Sequence, residues 1–192
     1  MLLYVCISGH GFGHGSRVAA VLNAVHRLQP SWRIVLSTPL PASFLALAFA
    51  EIPFEQRDLR WDVGVIQADA LGADPDATLA ALEAVEQQMP QQIEQELAWL
   101  QQQGDSVLVL ADVPPAAARL ALALEAPLVW MGNFGWDAIY GPMGGALTAW
   151  ADRALEQYRQ GTALLRCPFA MEMGWGLPSE EIGLTAGQPR LD

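Results

Sequence analysis

Residues 2–8 are apolar up to Ser8 and stop at Gly9, the pattern of a short strand buried on both faces. From Ser16 to Leu28 the pattern changes. Val18, Val21, Leu22, Val25 and Leu28 recur at steps of three and four, which predicts a helix closed off by Pro30. Arg33 to Ser37 reads as a second strand, Ala42 to Ala50 as a short helix and Pro53 to Gln56 as a third strand. No period holds from Arg57 to Asp74, and a loop of that length in a compact domain is more often functional than idle. Asp74-Pro75 then supplies a helix cap and a first-turn proline. Leu79, Leu82, Val85, Met89, Ile93, Leu97 and Leu100 follow at helical spacing, so a long amphipathic helix is expected, kinked at Pro90 and ended by Gly104. Val107 to Ala111 is a further apolar strand, and Pro114-Pro115 opens a helix through Leu124. Leu128 to Met131 is another strand and Ala146 to Gln160 another helix.

Apolar strands alternating with helices predict an α/β chain, a Rossmann-like doubly wound parallel sheet. With 192 residues there is room for one domain, placed at 1–166. Residues 167–192, rich in proline and glycine, read as a covering segment or a truncated connection to an absent C-terminal domain. Hydrophobic residues at 52% and charged ones at 16% exclude a disordered chain. A net charge of −11 with no basic stripe excludes nucleic acid as an expected partner. All ten basic residues are arginines, so neither a Walker-type phosphate lysine nor a lysine Schiff base can operate here. Cys6 and Cys167 form neither a CxxC pair nor a zinc pattern and suit a reducing compartment. No signal sequence and no apolar run long enough for a transmembrane segment is read, so a cytoplasmic location is expected.

The chemistry concentrates between the first strand and the first helix, in Gly9-His10-Gly11-Phe12-Gly13-His14-Gly15-Ser16-Arg17. Ligands of parallel α/β sheets sit beyond the carboxyl ends of the strands, and glycines there let backbone N–H groups approach them closely. The dinucleotide pattern GxGxxG is not met: its last glycine would fall on His14 or on Ser16. His10 and His14 have a spacing that would offer two metal ligands on a helix, but Gly11 and Gly13 argue against a helix there, and no third ligand is suggested. No metal and no cofactor are expected. The alternative is a tight turn in which both histidines bond only to backbone. Asp112 follows a later strand. In the common doubly wound order its loop neighbours the first one, so His14 and Asp112 can meet as a base and its orienting carboxylate. Equally, Asp112 can cap the helix opened by Pro114-Pro115.

Four segments in order resemble a known family: Gly9 to Arg17, Asp62-Val63-Gly64-Val65-Ile66-Gln67-Ala68-Asp69-Ala70-Leu71, Leu110-Ala111-Asp112-Val113-Pro114 and Asn133-Phe134-Gly135-Trp136-Asp137-Ala138-Ile139-Tyr140. The likeness is to the glycosyltransferase-like GT-B domain that precedes the kinase in plant L-arabinokinase and also occurs in related bacterial glycosyltransferase-like proteins. It covers residues 3 to 141 and fades beyond. The resemblance implies the single N-terminal half of a GT-B fold, the half that holds the acceptor. It places a catalytic base on His14 and an orienting carboxylate on Asp112. Gly15-Ser16 departs from the family's usual Ala-Thr but keeps a hydroxyl. Neither a donor-binding domain nor a sugar kinase is read in these 192 residues, so arabinose kinase activity is not carried over.

Substrate-binding candidates are therefore Gly9, His10, Gly11, Phe12, Gly13, Gly15, Ser16 and Arg17 from the first loop. Gln67, Asp69, Asn133, Trp136 and Asp137 join them from other loops on the same side. A tryptophan among carboxylates and amides suits a sugar, although Trp136 can equally plug the core while Asp137 caps the following turn. The expected function is the acceptor-binding half of a glycosyltransferase, moving a sugar without a metal from a nucleotide-sugar to an acceptor hydroxyl. The donor would be held by a C-terminal or separate donor-binding domain, and without that half the chain would be a poor catalyst. The alternatives are a non-catalytic sugar- or nucleotide-binding regulatory module and a truncated fragment.

Overall fold

The computed structural model describes residues 1–69 and 72–185. Ala70 and Leu71 of the second motif, and residues 186–192 of the tail, lie outside the described residues. Strands β1 (Leu2–Ile7), β2 (Arg33–Ser37), β3 (Glu55–Arg57), β4 (Val107–Asp112), β5 (Leu128–Gly132), β6 (Ala163–Arg166) and β7 (Ser179–Glu181) form one sheet. Its order is β3-β2-β1-β4-β5-β6-β7, and every pair is parallel. The helices are α1 (Phe12–Leu28), α2 (Ala42–Ala48), α3 (Pro75–Gln103), α4 (Ala117–Ala123), α5 (Trp136–Tyr140) and α6 (Leu147–Tyr158). The doubly wound parallel sheet is the one expected.

Both faces are covered, which is why the strands read as unbroken apolar runs. Along β1, Leu3, Val5 and Ile7 pack with Val18 and Leu22 of α1 and Leu45 of α2. Leu2, Tyr4 and Cys6 point to the opposite face and pack with Leu82, Met89 and Leu100 of α3 and with residues of α4–α6. Winding reverses between β1 and β4, where Ile7 stands opposite Asp112 in register.

Several elements differ from the sequence reading, among them α5, where no helix was expected, and α1, β6 and β7. Helix α1 begins at Phe12, four residues before the expected Ser16, and takes Gly13 and Gly15 into its first turns. Gly15 is required there, since a Cβ would sit 2.5 Å from Phe44 Cε1 and 2.9 Å from Leu40 Cδ1. Packing against the β2–α2 segment thus overrides the helix cost of glycine, which is only about 1 kcal/mol. Short β6 and β7 were missed because three or four residues beside glycines and prolines carry little periodicity. As a result residues 179–181 of the tail lie in the main sheet beside β6. Helix α3 matches its expected ends: Asp74 Oδ1 accepts from the Ala77 amide at 2.8 Å, and Gly104 closes it in the left-handed region.

Candidate functional site

Because all strands run the same way, their carboxyl ends bring the β1–α1 turn together with the residues after β4 and β5. The loop cluster forms around one carboxylate. Asp112 ends β4 with no exposed surface, and His14, in the first turn of α1, places Nδ1 2.9 Å from its Oδ1. Arg17, one turn further along α1, donates from Nε to Asp112 Oδ2 at 2.5 Å and from Nη2 to Oδ1. Its Nη1 donates to Asn133 Oδ1, beyond β5, at 2.5 Å. Asp112 does not cap the next helix, which starts at Ala117 without a side-chain cap, because its oxygens are taken by His14 and Arg17.

The pairing fixes the imidazole tautomer. An ionised carboxylate beside a guanidinium only accepts, so in the neutral ring of His14 the proton belongs on Nδ1 and the lone pair on Nε2. Arg17 Nη2 also lies 3.0 Å from Nδ1, but a protonated Nδ1 cannot accept from it. Burial works against the Arg17 charge, yet its hydrogen bond and attraction to Asp112 outweigh burial and hold its pKa above the ordinary value. His14 is 8% exposed and packs edge-on to Phe134. Directly after Asp112, Val113 adopts φ 79°, a strained choice for a β-branched residue. Its carbonyl accepts from Tyr158 Oη at 2.7 Å, which helps hold that turn.

A second carboxylate, which sequence reasoning did not single out, lies under the histidines. Asp62 is buried, accepts from Trp136 Nε1 at 2.8 Å and bonds the Ser8 hydroxyl. Burial raises its pKa, while those two bonds and the fields of His14 and His10 pull it back. Burial lowers the pKa of His10, partly offset by Asp62. The His10 ring lies where a Cβ on Gly64 would be, 1.6 Å from its Nδ1, and meets Trp136 edge-on with centroids 5.5 Å apart. The only sequence signal for Asp62 was its place in the second motif.

The remaining candidates divide. Gly11 and Gly13 have open space where side chains would be, and Phe12, Gly13 and Ser16 are exposed at the start of α1. Gly9 instead packs against Pro39. Gln67 and Asp69 lie on the surface, where Gln67 bridges Ala73 and Asp69 Oδ1 accepts from the Gly72 amide. Trp136 corrects the sugar-platform expectation: at 2% exposure it is a core plug, stacked on Tyr140 at 5.3 Å. Asp137 accepts from Trp175 Nε1 at 3.1 Å and makes no helix cap, and burial raises its pKa. Arg17 and Asn133 are half-buried and bond each other. Among the described residues, no group of three or more His, Cys, Asp or Glu side chains could hold a metal ion. None of the described helices is long and apolar enough to cross a membrane.

No known family profile matches the chain. It is similar to L-arabinokinase of Arabidopsis thaliana, 32% identical over 136 residues that make up 70% of this chain and 13% of that protein. Among solved structures it is similar to UGT89C1 of Arabidopsis thaliana, with a TM-score of 0.61 and 11% identity, covering 98% of this chain and 51% of that one. A UDP-glucosyltransferase from Polygonum tinctorium, described as capable of glucosylating indoxyl, also matches. Its TM-score is 0.61 and its identity 12%, over 97% of this chain and 52% of that one. Phytolacca americana UGT2, complexed with UDP-2fluoro-glucose and pterostilbene, matches with a TM-score of 0.60 and 11% identity, over 98% and 55% of the two chains. The chain thus spans about half the length of these solved structures and far less of the curated relative. Its seven parallel strands, their winding and these likenesses make it, in fold, a glycosyltransferase-like domain of the GT-B type.

Proposed function

We propose that this chain is the acceptor-binding half of a glycosyltransferase and that His14 is its general base. The observation that supports this most is the 2.9 Å contact between His14 Nδ1 and Asp112 Oδ1 at the switch point of the sheet. With Nδ1–H committed to the carboxylate, Nε2 takes the proton of an acceptor hydroxyl as that oxygen bonds to the anomeric carbon of a nucleotide-sugar. The nucleotide leaves with the electrons of the broken bond. Arg17 is a positioning residue, holding Asp112 and tying the ends of β4 and β5 to α1. Gly11, Gly13 and Ser16 line the open side, where an acceptor would approach. In this reading the acceptor-side domain expected at 1–166 also takes in the tail through β7, and a donor-binding half would come from the same or a second chain. The coverage of about half of the UDP-sugar-binding relatives supports that arrangement.

The test is transfer from UDP-sugars to a panel of hydroxylated acceptors, with the chain joined to a donor-binding half. His14→Ala is expected to lower kcat by about 10²–10⁴-fold while binding of the nucleotide-sugar is kept. An unchanged kcat would overturn the assignment. One observation favours a second reading, a non-catalytic sugar- or nucleotide-binding module: Arg17 bonds both oxygens of Asp112 and so weakens its pull on the imidazole. Calorimetric binding of a sugar by the chain alone, with no turnover in any combination, would select that reading.

A further inference from the structure

Beyond β6 the chain makes a loop that the proposed function leaves unused. Residues 166–170, with Glu181 and Ile182 from the end of β7, line a cavity of about 400 Å³ at the carboxyl edge of the sheet. That volume is in the range of small-molecule sites. The same edge carries His14 and Asp112. Only β5 separates β4 from β6, so Arg166 stands about 10 Å along the edge from Asp112, at two strand spacings. The loop is anchored on β5: the Cys167 amide donates to the Gly132 carbonyl at 2.9 Å, and the Met171 amide to that of Asn133 at 2.8 Å.

Three side chains of this lining are left without partners of their own. Arg166 is half-buried, its Nε is buried and bonds nothing, and no carboxylate among the described residues pairs with it. A desolvated cation in that position is unfavourable until an anion meets it. Glu181 stands in register beside Arg166, yet no ion pair joins the two, so its exposed carboxylate is free to accept as well. Phe169 is 91% exposed and takes φ 59°, a region that bulky residues rarely enter. Backbone strain of this kind collects in ligand-binding loops, and here it turns an aromatic ring outward beside the two charges.

We propose that this cavity binds a sugar acid, a six-membered sugar ring carrying one carboxylate, at a site separate from the His14–Asp112 pair. The carboxylate meets the Arg166 guanidinium, ring hydroxyls donate to Glu181, and the Phe169 ring covers the apolar face of the sugar. A simple carboxylate would set Glu181 against a like charge, and a neutral sugar would leave Arg166 unpaired. The sugar acid answers both groups. Binding there needs no donor and no transfer, so it stands or falls apart from the function proposed above.

The experiment titrates the full chain with methyl glucuronoside, methyl glucoside and cyclohexanecarboxylate and reads affinity by calorimetry. The first has both the charge and the hydroxyls, the second only the hydroxyls, the third only the charge. The glucuronoside is expected to bind tightest, about tenfold above the glucoside, the scale of a hydrogen bond to a charged group. Arg166→Gln should bring the glucuronoside level with the glucoside, and should melt no lower than the parent because no ion pair is lost. Phe169→Ala should weaken both sugars about fivefold. Glu181→Gln should weaken both sugars and leave cyclohexanecarboxylate no weaker. His14→Ala should leave all three affinities as they are. The proposal is overturned if the glucoside or cyclohexanecarboxylate binds as tightly as the glucuronoside, or if none of the three binds. It is equally overturned if Arg166→Gln leaves the glucuronoside affinity unchanged, or melts lower than the parent, which would make that guanidinium a structural group.

Discussion

Asp112 has no exposed surface and is shared by His14 and Arg17. In Asp112→Asn the neutral amide leaves the partly buried Arg17 charge uncompensated, and unfolding in urea should show a loss of about 3 kcal/mol. Asp62 behaves in the opposite sense. Its folded pKa is raised by burial, so the folded state holds the proton more tightly than the unfolded chain, and stability falls as pH rises through that range. Asp62→Asn, which can still bond Ser8 and Trp136, should therefore melt higher than the parent at pH 7. The gain should shrink as pH is lowered toward 4, and calorimetry across that range would read it. His10, whose pKa is lowered by burial, adds stability above its unfolded pKa and loses it as pH falls below. At this scale the sequence was informative about residue type and poor about partners. His14 and Asp112 were readable as candidates, but whether Asp112 faced an imidazole or a helix end was a matter of three-dimensional geometry.

Among the elements, α3 was the most legible because its two ends carry their own chemistry. Asp74→Ala removes the bond to the Ala77 amide and should cost about 1 kcal/mol in a denaturant melt. Helix α1 was less legible. Its apolar stripe was plain from Val18 onward, while its first turns contain Gly13 and Gly15, which by propensity alone belong to a loop. That onset matters for the site, because it puts His14 and Arg17 three residues apart on one helix, facing Asp112 together. Gly15→Ala should be costly, by about 1–3 kcal/mol, because its Cβ would press on Leu40 and Phe44 in a packed contact. The open position Gly13 makes the control: Gly13→Ala has room for its methyl and should not destabilise the fold in the same melt.

For the molecule as a whole, a buried polar network joins its longest helix to the sheet. Glu96 of α3 accepts from Arg57 of β3 and from Tyr4 Oη of β1 at 2.7 Å, and the Ser37 hydroxyl accepts from Trp61 Nε1 at 2.7 Å. Glu96→Ala strands the Arg57 charge and should cost about 3 kcal/mol in equilibrium unfolding. The alternation of apolar strands with helices from β1 to β5, their parallel sense and both buried faces were legible in the sequence alone, whereas α5, β6 and β7 were not. Unbroken apolar runs and helical stripes are local patterns, and the rules of right-handed crossover leave few ways to connect them. What only the tertiary structure decided was the set of meetings: Asp112 with His14 and Arg17, Asp62 with Trp136, and two arginines around Glu86. The reason is physical. Each such contact joins residues far apart in the chain, so its geometry is fixed by packing and register, which no local run of residues encodes.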